Sequence, residues 1–321
     1  MHLLHLPPLL SLKAFRATAA LLWAIPLSLA GCTSTSVSTG PVITGPAITA
    51  YQLTDTPLLV GESNSRVRHL VLHYTDDDLT GSLKSLTGPD VSAHYLLSGP
   101  QPPTDLPRVY KLVPESRRAW HAGVSHWGGR DNLNDTSIGI EIVNAGPLPL
   151  APASTSESEF ETASAAVARR WSPSREFAAW DDKQITALVA LITPILARHD
   201  IAPVDVIGHS DIAPDRKTDP GPRFPWKRLH EAGIGAWPLP EDVTCFQRQL
   251  AHDGLPENDT LLTALTVYGY PVEPERSWLA IAAFQAHFRP GAITGAFDAE
   301  SAAILLSLVA RYRHTTACSF D

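Results

Sequence analysis

The chain has 321 residues, 44% of them hydrophobic and 18% charged; that balance supports folded cores, and the length points to more than one domain. Its formal net charge is −8. Polyanion-binding proteins normally present a basic face, so with an excess of that sign nucleic acid is not an expected partner.

The first element reads as an address. Lys13 and Arg16 precede the apolar run ATAALLWAIPLSLAGC, which ends in small residues before Cys32. Such a run is an export signal rather than a permanent membrane span. Leu29-Ala30-Gly31-Cys32 resembles the lipobox of bacterial lipoproteins. That resemblance implies removal of residues 1–31 and acylation of the Cys32 sulfur; the alternative is a plain secretory signal with a chance cysteine. Thr33 rather than aspartate follows the cysteine, which implies the periplasmic side of the outer membrane. Residues 32–50, rich in Ser, Thr, Gly and Pro, form a flexible tether.

Residues 51–238 carry the pattern of an α/β domain. VRHLVLHYT, Val67 to Thr75, is strand-like, as are SAHYLLS around His94 and RVYKLVP from Arg108. In SIGIEIVN, Ser137 to Asn144, alternation puts Ile138, Ile140 and Ile142 on one face and Gly139, Glu141 and Val143 on the other. Residues 146–179 have no clear period and read as a surface insertion. A helix follows. Asp181 and Gln184 form a capping-box-like start, and Ile185, Leu188, Val189, Ile192, Ile195 and Leu196 form its apolar stripe. Pro194 is expected to kink its end. VDVIGH, Val204 to His209, is a short buried strand, and strands interleaved with helices argue for α/β layers.

GIGAWPLP, Gly233 to Pro240, reads as a linker. Beyond it, Leu261 to Tyr312 carries three helical stripes and no strand signal, so 239–321 is expected to be a small all-α three-helix domain. Cys245 and Cys318 either pair as a disulfide in an oxidising compartment or remain two buried thiols.

The stretch GHSDIAPDRKTDPGPRFPW, Gly208 to Trp226, is too proline-rich for a regular helix or a central strand. Something else must hold its shape, and the residue types point to a metal. His209 ends a strand, Asp219 follows ten positions later, and His73 closes the strand VRHLVLH. Two imidazoles and one carboxylate leave a fourth tetrahedral position open, as in a catalytic zinc site. A single strand-end histidine is usually only hydrogen-bonded, so the weight comes from Glu141 and Lys217. Glu141 interrupts an apolar strand, where a carboxylate costs free energy unless something polar meets it; the alternative is an edge strand facing solvent. Beside a metal it would act as a general base. Lys217 would offset charge on an oxyanion, the alternative being an ordinary exposed lysine.

LVLHYT, VSAHYLL, AWHAG, SIGIEIVN and the final long motif occur in the order that resembles zinc-dependent N-acetylmuramoyl-L-alanine amidases of the AmpD/AmiD type. These are related to peptidoglycan recognition proteins and phage T7 lysozyme. The resemblance implies a central mixed β-sheet flanked by helices. It also implies Zn²⁺ held by His73, His209 and Asp219, Glu141 as acid/base, Lys217 as transition-state stabiliser, and cleavage between N-acetylmuramic acid and L-alanine. The helical segment after 239 resembles a peptidoglycan-binding module. With the lipobox, the whole resembles the outer-membrane lipoprotein members, so a membrane anchor and peptidoglycan are the expected partners. The insertion at 146–179 is longer than the family pattern.

Other positions are less specific. His94 either contributes to the site or packs. Trp120 and His121 lie in a glycine-containing loop suited to lining a cleft, and Arg130 and Asn144 are candidates for hydrogen bonds to peptide or muramoyl groups. Two other functions remain open: a non-catalytic peptidoglycan-binding lipoprotein, and a zinc peptidase cutting within the stem peptide. No HExxH is present, which counts against the helix-borne type of zinc peptidase.

Overall fold

The computed structural model describes residues 66–148, 171, 176–315 and 317–318, together with two short strands nearer the N-terminus. Those strands, β1 (Ser38–Thr39) and β2 (Gln52–Leu53), pair antiparallel within a separate unit, Met1–Ser63. The export signal and Cys32 lie outside the described residues, as does most of the insertion at 146–179.

The second unit is built on a five-stranded sheet in the order β5-β4-β8-β3-β9. Its strands are β3 (His69–Tyr74), β4 (Tyr95–Gln101), β5 (Leu106–Lys111), β8 (Ser137–Ile142) and β9 (Val206–Gly208). β3 pairs parallel with β8 and β9, β4 pairs parallel with β8, and β5 closes one edge antiparallel to β4. This is the mixed sheet expected. The hairpin β6 (His126–Trp127) and β7 (Arg130–Asp131) stands outside it.

The interior strands are apolar on the face that helix packing covers, whereas the opposite face of β8 carries Ser137, Gly139 and Glu141. Leu70 and Leu72 of β3 and Ile138, Ile140 and Ile142 of β8 pack against α2 (Asp182–His199) through Ile185, Leu188, Ile192 and Ile195. Burying each such side chain contributes about 1.5–3 kcal/mol. Val71 and Ile207 face the other way. α1 (Leu79–Leu86) covers Leu96 of β4.

Asp181 caps α2, accepting from the backbone N–H groups of Lys183 and Gln184. The reciprocal half of the expected capping box is absent. Gln184 instead reaches the Val143 carbonyl at 2.9 Å and ties the helix to the end of β8. The helix runs through Pro194 to His199.

The proline-rich stretch contains one helical turn, α3 (His209–Ile212), completed before its first proline, and ends in α4 (Trp226–Glu231). Three helices were expected beyond residue 239, and among the described residues four α-helices are present: α5 (Pro240–Asp253), α6 (Asn258–Tyr268), α7 (Ser277–Phe288) and α8 (Ala299–Tyr312). The additional one starts on Pro240, inside the expected linker. Cys245 of α5 is disulfide-bonded to Cys318. Leu265, Tyr268, Tyr270, Phe284 and Leu305 of this region share one core with Val71, Trp127, Leu133 and Ile212. Packing is therefore continuous across residue 239. No helix among the described residues is long and apolar enough to cross a membrane.

Candidate metal centre

β3 and β9 lie side by side, so the C-terminal end of β3 and the residue that follows β9 are neighbours. These positions are His73 and His209. The loop after α3 brings Asp219 to both. His73 Nδ1 lies 2.9 Å from His209 Nδ1 and 2.9 Å from Asp219 Oδ2, and His209 Nδ1 lies 3.0 Å from Asp219 Oδ2. All three side chains are buried, and together they form a group able to hold a metal ion.

Hydrogen bonds on the far side of each ring test whether a cation fits. His209 Nε2 donates to the Ala122 carbonyl at 3.1 Å. His73 Nε2 lies 3.0 Å from His121 Nδ1, His121 Nε2 lies 3.0 Å from Ser137 Oγ, and Ser137 Oγ donates to the Leu133 carbonyl at 2.6 Å. Since Ser137 spends its one proton on Leu133, it accepts from His121, and His121 in turn accepts from His73. Neutral His73 and His209 thus both carry their proton on Nε2. Two Nδ1 lone pairs and a carboxylate oxygen then converge with no proton between them. A cation held by all three donors would resolve that repulsion.

The electrostatics agree. Burial, reinforced by the neighbouring His209, lowers the His73 pKa to about 4 and keeps the ring neutral.

Glu141 sits opposite His73 in the β3–β8 register, on the central strand of the sheet rather than at an edge. Its side chain lines a cleft of about 440 Å³ together with His73, His209, Asp219 and Lys217. Burial raises its pKa well above the ordinary carboxylate value, the Asp219 charge adds to this, and Lys217 opposes it. Gly139, two residues earlier on the same face, has no room for a side chain. A Cβ there would lie 2.3 Å from His121 Cγ.

The other sequence candidates separate. Trp120 lines the cleft and is 56% exposed, with the Arg118 guanidinium 4.0 Å over its ring. His121 lines it too, but its hydrogen bonds fix the orientation of His73. His94 does not line the cleft. It is fully buried behind His121, accepting from the Gly139 backbone N–H at 3.0 Å and donating to the Arg117 carbonyl at 3.1 Å. Asn144 folds the turn after β8, bonding the Ala179 carbonyl and the Gly146 N–H. Arg130 lines a different cavity with Arg66, Arg68 and Arg118, near the N-terminal ends of β3 and β8 and away from the cleft.

Sequence reasoning missed Tyr74, whose hydroxyl lies 2.6 Å from Thr218 Oγ1, and Arg216, which donates to the Ala122 and Val124 carbonyls. Both line the cleft. Both stand beside residues that were identified, but adjacency in sequence does not say which way a side chain turns.

A family model for N-acetylmuramoyl-L-alanine amidase matches residues 63–222. N-acetylmuramoyl-L-alanine amidase AmiD of Escherichia coli K12 is 41% identical over 270 residues, covering 82% of this chain and 89% of that protein. The structure of E. coli AmiD in complex with anhydro-N-acetylmuramic acid-L-Ala-D-γ-Glu-L-Lys superposes with a TM-score of 0.69 at 40% identity, over 82% of this chain and 95% of that one. AMPDH3 from Pseudomonas aeruginosa, in complex with anhydromuramic pentapeptide, gives a TM-score of 0.68 at 42% identity, over 80% and 97% of the two chains.

Proposed function

The chain belongs to the N-acetylmuramoyl-L-alanine amidase family, and from that premise we propose that it hydrolyses the amide between N-acetylmuramic acid and L-alanine, with Zn²⁺ held by His73, His209 and Asp219. The observation that carries the metal assignment is the meeting of three unprotonated donors within 3.0 Å of one another beside a partly buried glutamate. Their composition, two imidazole nitrogens and one carboxylate oxygen, suits a catalytic zinc. When bound, the ion supplies Lewis acidity to the scissile carbonyl and to water.

The protein's own groups do the rest. Glu141 accepts the proton of the attacking water, a role favoured by burial that raises its basicity. It then returns that proton to the nitrogen of the departing alanine. Lys217, lining the same cleft, offsets negative charge as it develops on the carbonyl oxygen. His121 holds His73 in the tautomer that leaves Nδ1 free. Trp120 offers an exposed aromatic face for a sugar ring. The related E. coli and P. aeruginosa enzymes hold anhydromuramoyl peptides, and we assign this chain the same substrate class.

The Leu29-Ala30-Gly31-Cys32 sequence supports lipid attachment at Cys32 and a place on the periplasmic side of the outer membrane. The helical residues 239–321 are assigned to holding the polymer. Glu141→Gln tests the mechanism. It is expected to lower the rate of release of peptide with a free alanine N-terminus by about 10²–10⁴-fold, with the zinc content of the protein unchanged. Full activity in that variant removes Glu141 from the reaction.

A further inference from the structure

The helical region sends two polar side chains into the base of the metal-ligand loop. Their target is Asp211, two residues after His209 in α3 and 1% exposed. Its carboxylate is fully engaged. Oδ1 accepts from the Tyr270 hydroxyl at 2.7 Å. Oδ2 accepts from the Gly208 backbone N–H at 2.7 Å and from His287 Nδ1 at 2.8 Å. Tyr270 follows α6, and His287 lies in α7; both are buried. The His287 ring is stacked on Trp226, with centroids 3.8 Å apart and planes at 13°.

A carboxylate this deeply buried is tolerable only with donors around it, and two of the three come from outside the sheet domain. What they brace is the turn that bears the ligands. The bond from Gly208 to Asp211 fixes the direction in which the chain leaves β9, and hence where the His209 ring begins. The next residue, Ser210, donates its backbone N–H to the Asp219 carbonyl at 2.8 Å. His209 and Asp219 therefore hang from one hydrogen-bonded unit, and Asp211 is its anchor.

We propose that Tyr270 and His287 are positioning residues for the metal centre: acting through Asp211, they set the separation and aim of His209 and Asp219. The helical region then completes the site, beyond any part it has in holding polymer. This inference rests on reading His73, His209 and Asp219 as metal ligands.

The test uses the full-length chain and reads Zn²⁺ affinity by competition with a chromophoric chelator, alongside the d–d absorption of the Co²⁺-substituted protein. Tyr270→Phe, which removes one hydroxyl and keeps the ring, is expected to weaken Zn²⁺ binding about 10-fold and alter the Co²⁺ spectrum. His287→Leu should do the same, while His287→Asn, whose Nδ2 stands where the His287 Nδ1 donor does, recovers most of the loss. In an Asp211→Asn background, Tyr270→Phe should add less than about twofold, because the route through the carboxylate is already broken. Leu265→Ala, in the same core but with an apolar side chain that donates no hydrogen bond to Asp211, is expected to lower the Tm and leave affinity and spectrum alone. Unchanged affinity and spectrum in Tyr270→Phe and His287→Leu, in a wild-type protein that does bind the metal, overturn the positioning role alone. So does equal metal loss in Leu265→Ala. A wild-type chain that binds no metal overturns the ligand assignment and this inference together.

Discussion

In the candidate metal centre each imidazole has one nitrogen committed on the side away from Asp219, His209 to the Ala122 carbonyl and His73 to His121. This is the usual division of labour between a ligand and the groups behind it, and it explains why Gly139 cannot be larger. Gly139→Ala drives a methyl group into the His121 ring. It is expected to cost about 1–3 kcal/mol of stability and about tenfold in Zn²⁺ affinity, measured by denaturant unfolding and chelator competition; an alanine variant equal to wild type in both would remove His121 from its supporting role. Glu141 stood out in the sequence because it is out of place for its local pattern, whereas His73 and His209, ordinary singly at strand ends, gained weight as candidates only beside it and Lys217. A carboxylate in a run of isoleucines and an aspartate in a proline-rich loop both ask for a partner. His94 and His121 were not separable in this way. Both sit in short motifs with an alanine on one side and an aromatic residue on the other, and only the packing shows that His121 bonds His73 while His94 bonds the backbone of Gly139 and Arg117.

At the scale of elements, α2 is pinned at both ends by polar contacts that its apolar stripe did not announce. Gln184 reaches β8 at one end, and at the other Glu115 gathers Arg198, His199 and the Tyr95 hydroxyl. Burial pushes the Glu115 carboxyl up, but these hydrogen bonds hold it down to about 2, against an ordinary 4.5. A depressed carboxylate stabilises the fold at pH values above 4.5, and that contribution is lost as pH falls towards 2. The Tm of the wild type should therefore exceed that of Glu115→Gln at pH 6, with the gap closing between about pH 4.5 and 2. A gap independent of pH would contradict this account. The five strands of the main sheet were readable from their apolar, β-branched and aromatic runs, with clean alternation only in β8, and α2 from its apolar period. α5 was missed although its signals were present: Pro240 at its first position, Glu241 and Asp242 in its first turn, Gly254 at its end. Its buried stripe is narrow, chiefly Phe246 and Leu250, so periodicity gave no warning. α7 was read as a helix with an apolar stripe, but it is buried nearly all round, so the stripe is one part of a wholly apolar surface.

Across the whole molecule, the change of character after residue 239 is real in composition but not in packing. Tyr268, Tyr270 and Phe284 enter the core that Val71 and Ile212 belong to, so sheet and helices are expected to unfold together. A composition boundary marks where one type of element gives way to another, and only the core shows whether they are separable. The N-terminal address is a claim of the same scale. Cys32→Ser should move the protein from the membrane fraction to the soluble periplasmic fraction and abolish incorporation of labelled palmitate; retention with label would place the anchor elsewhere. The account as a whole turns on a metal-dependent cut at one bond. Digestion of a defined anhydromuramoyl peptide, with and without a chelator, reads this directly. Release of peptide with a free alanine N-terminus, abolished by the chelator and restored by Zn²⁺, is the result expected. Undiminished release in the metal-stripped protein, or cleavage only within the peptide, would contradict it.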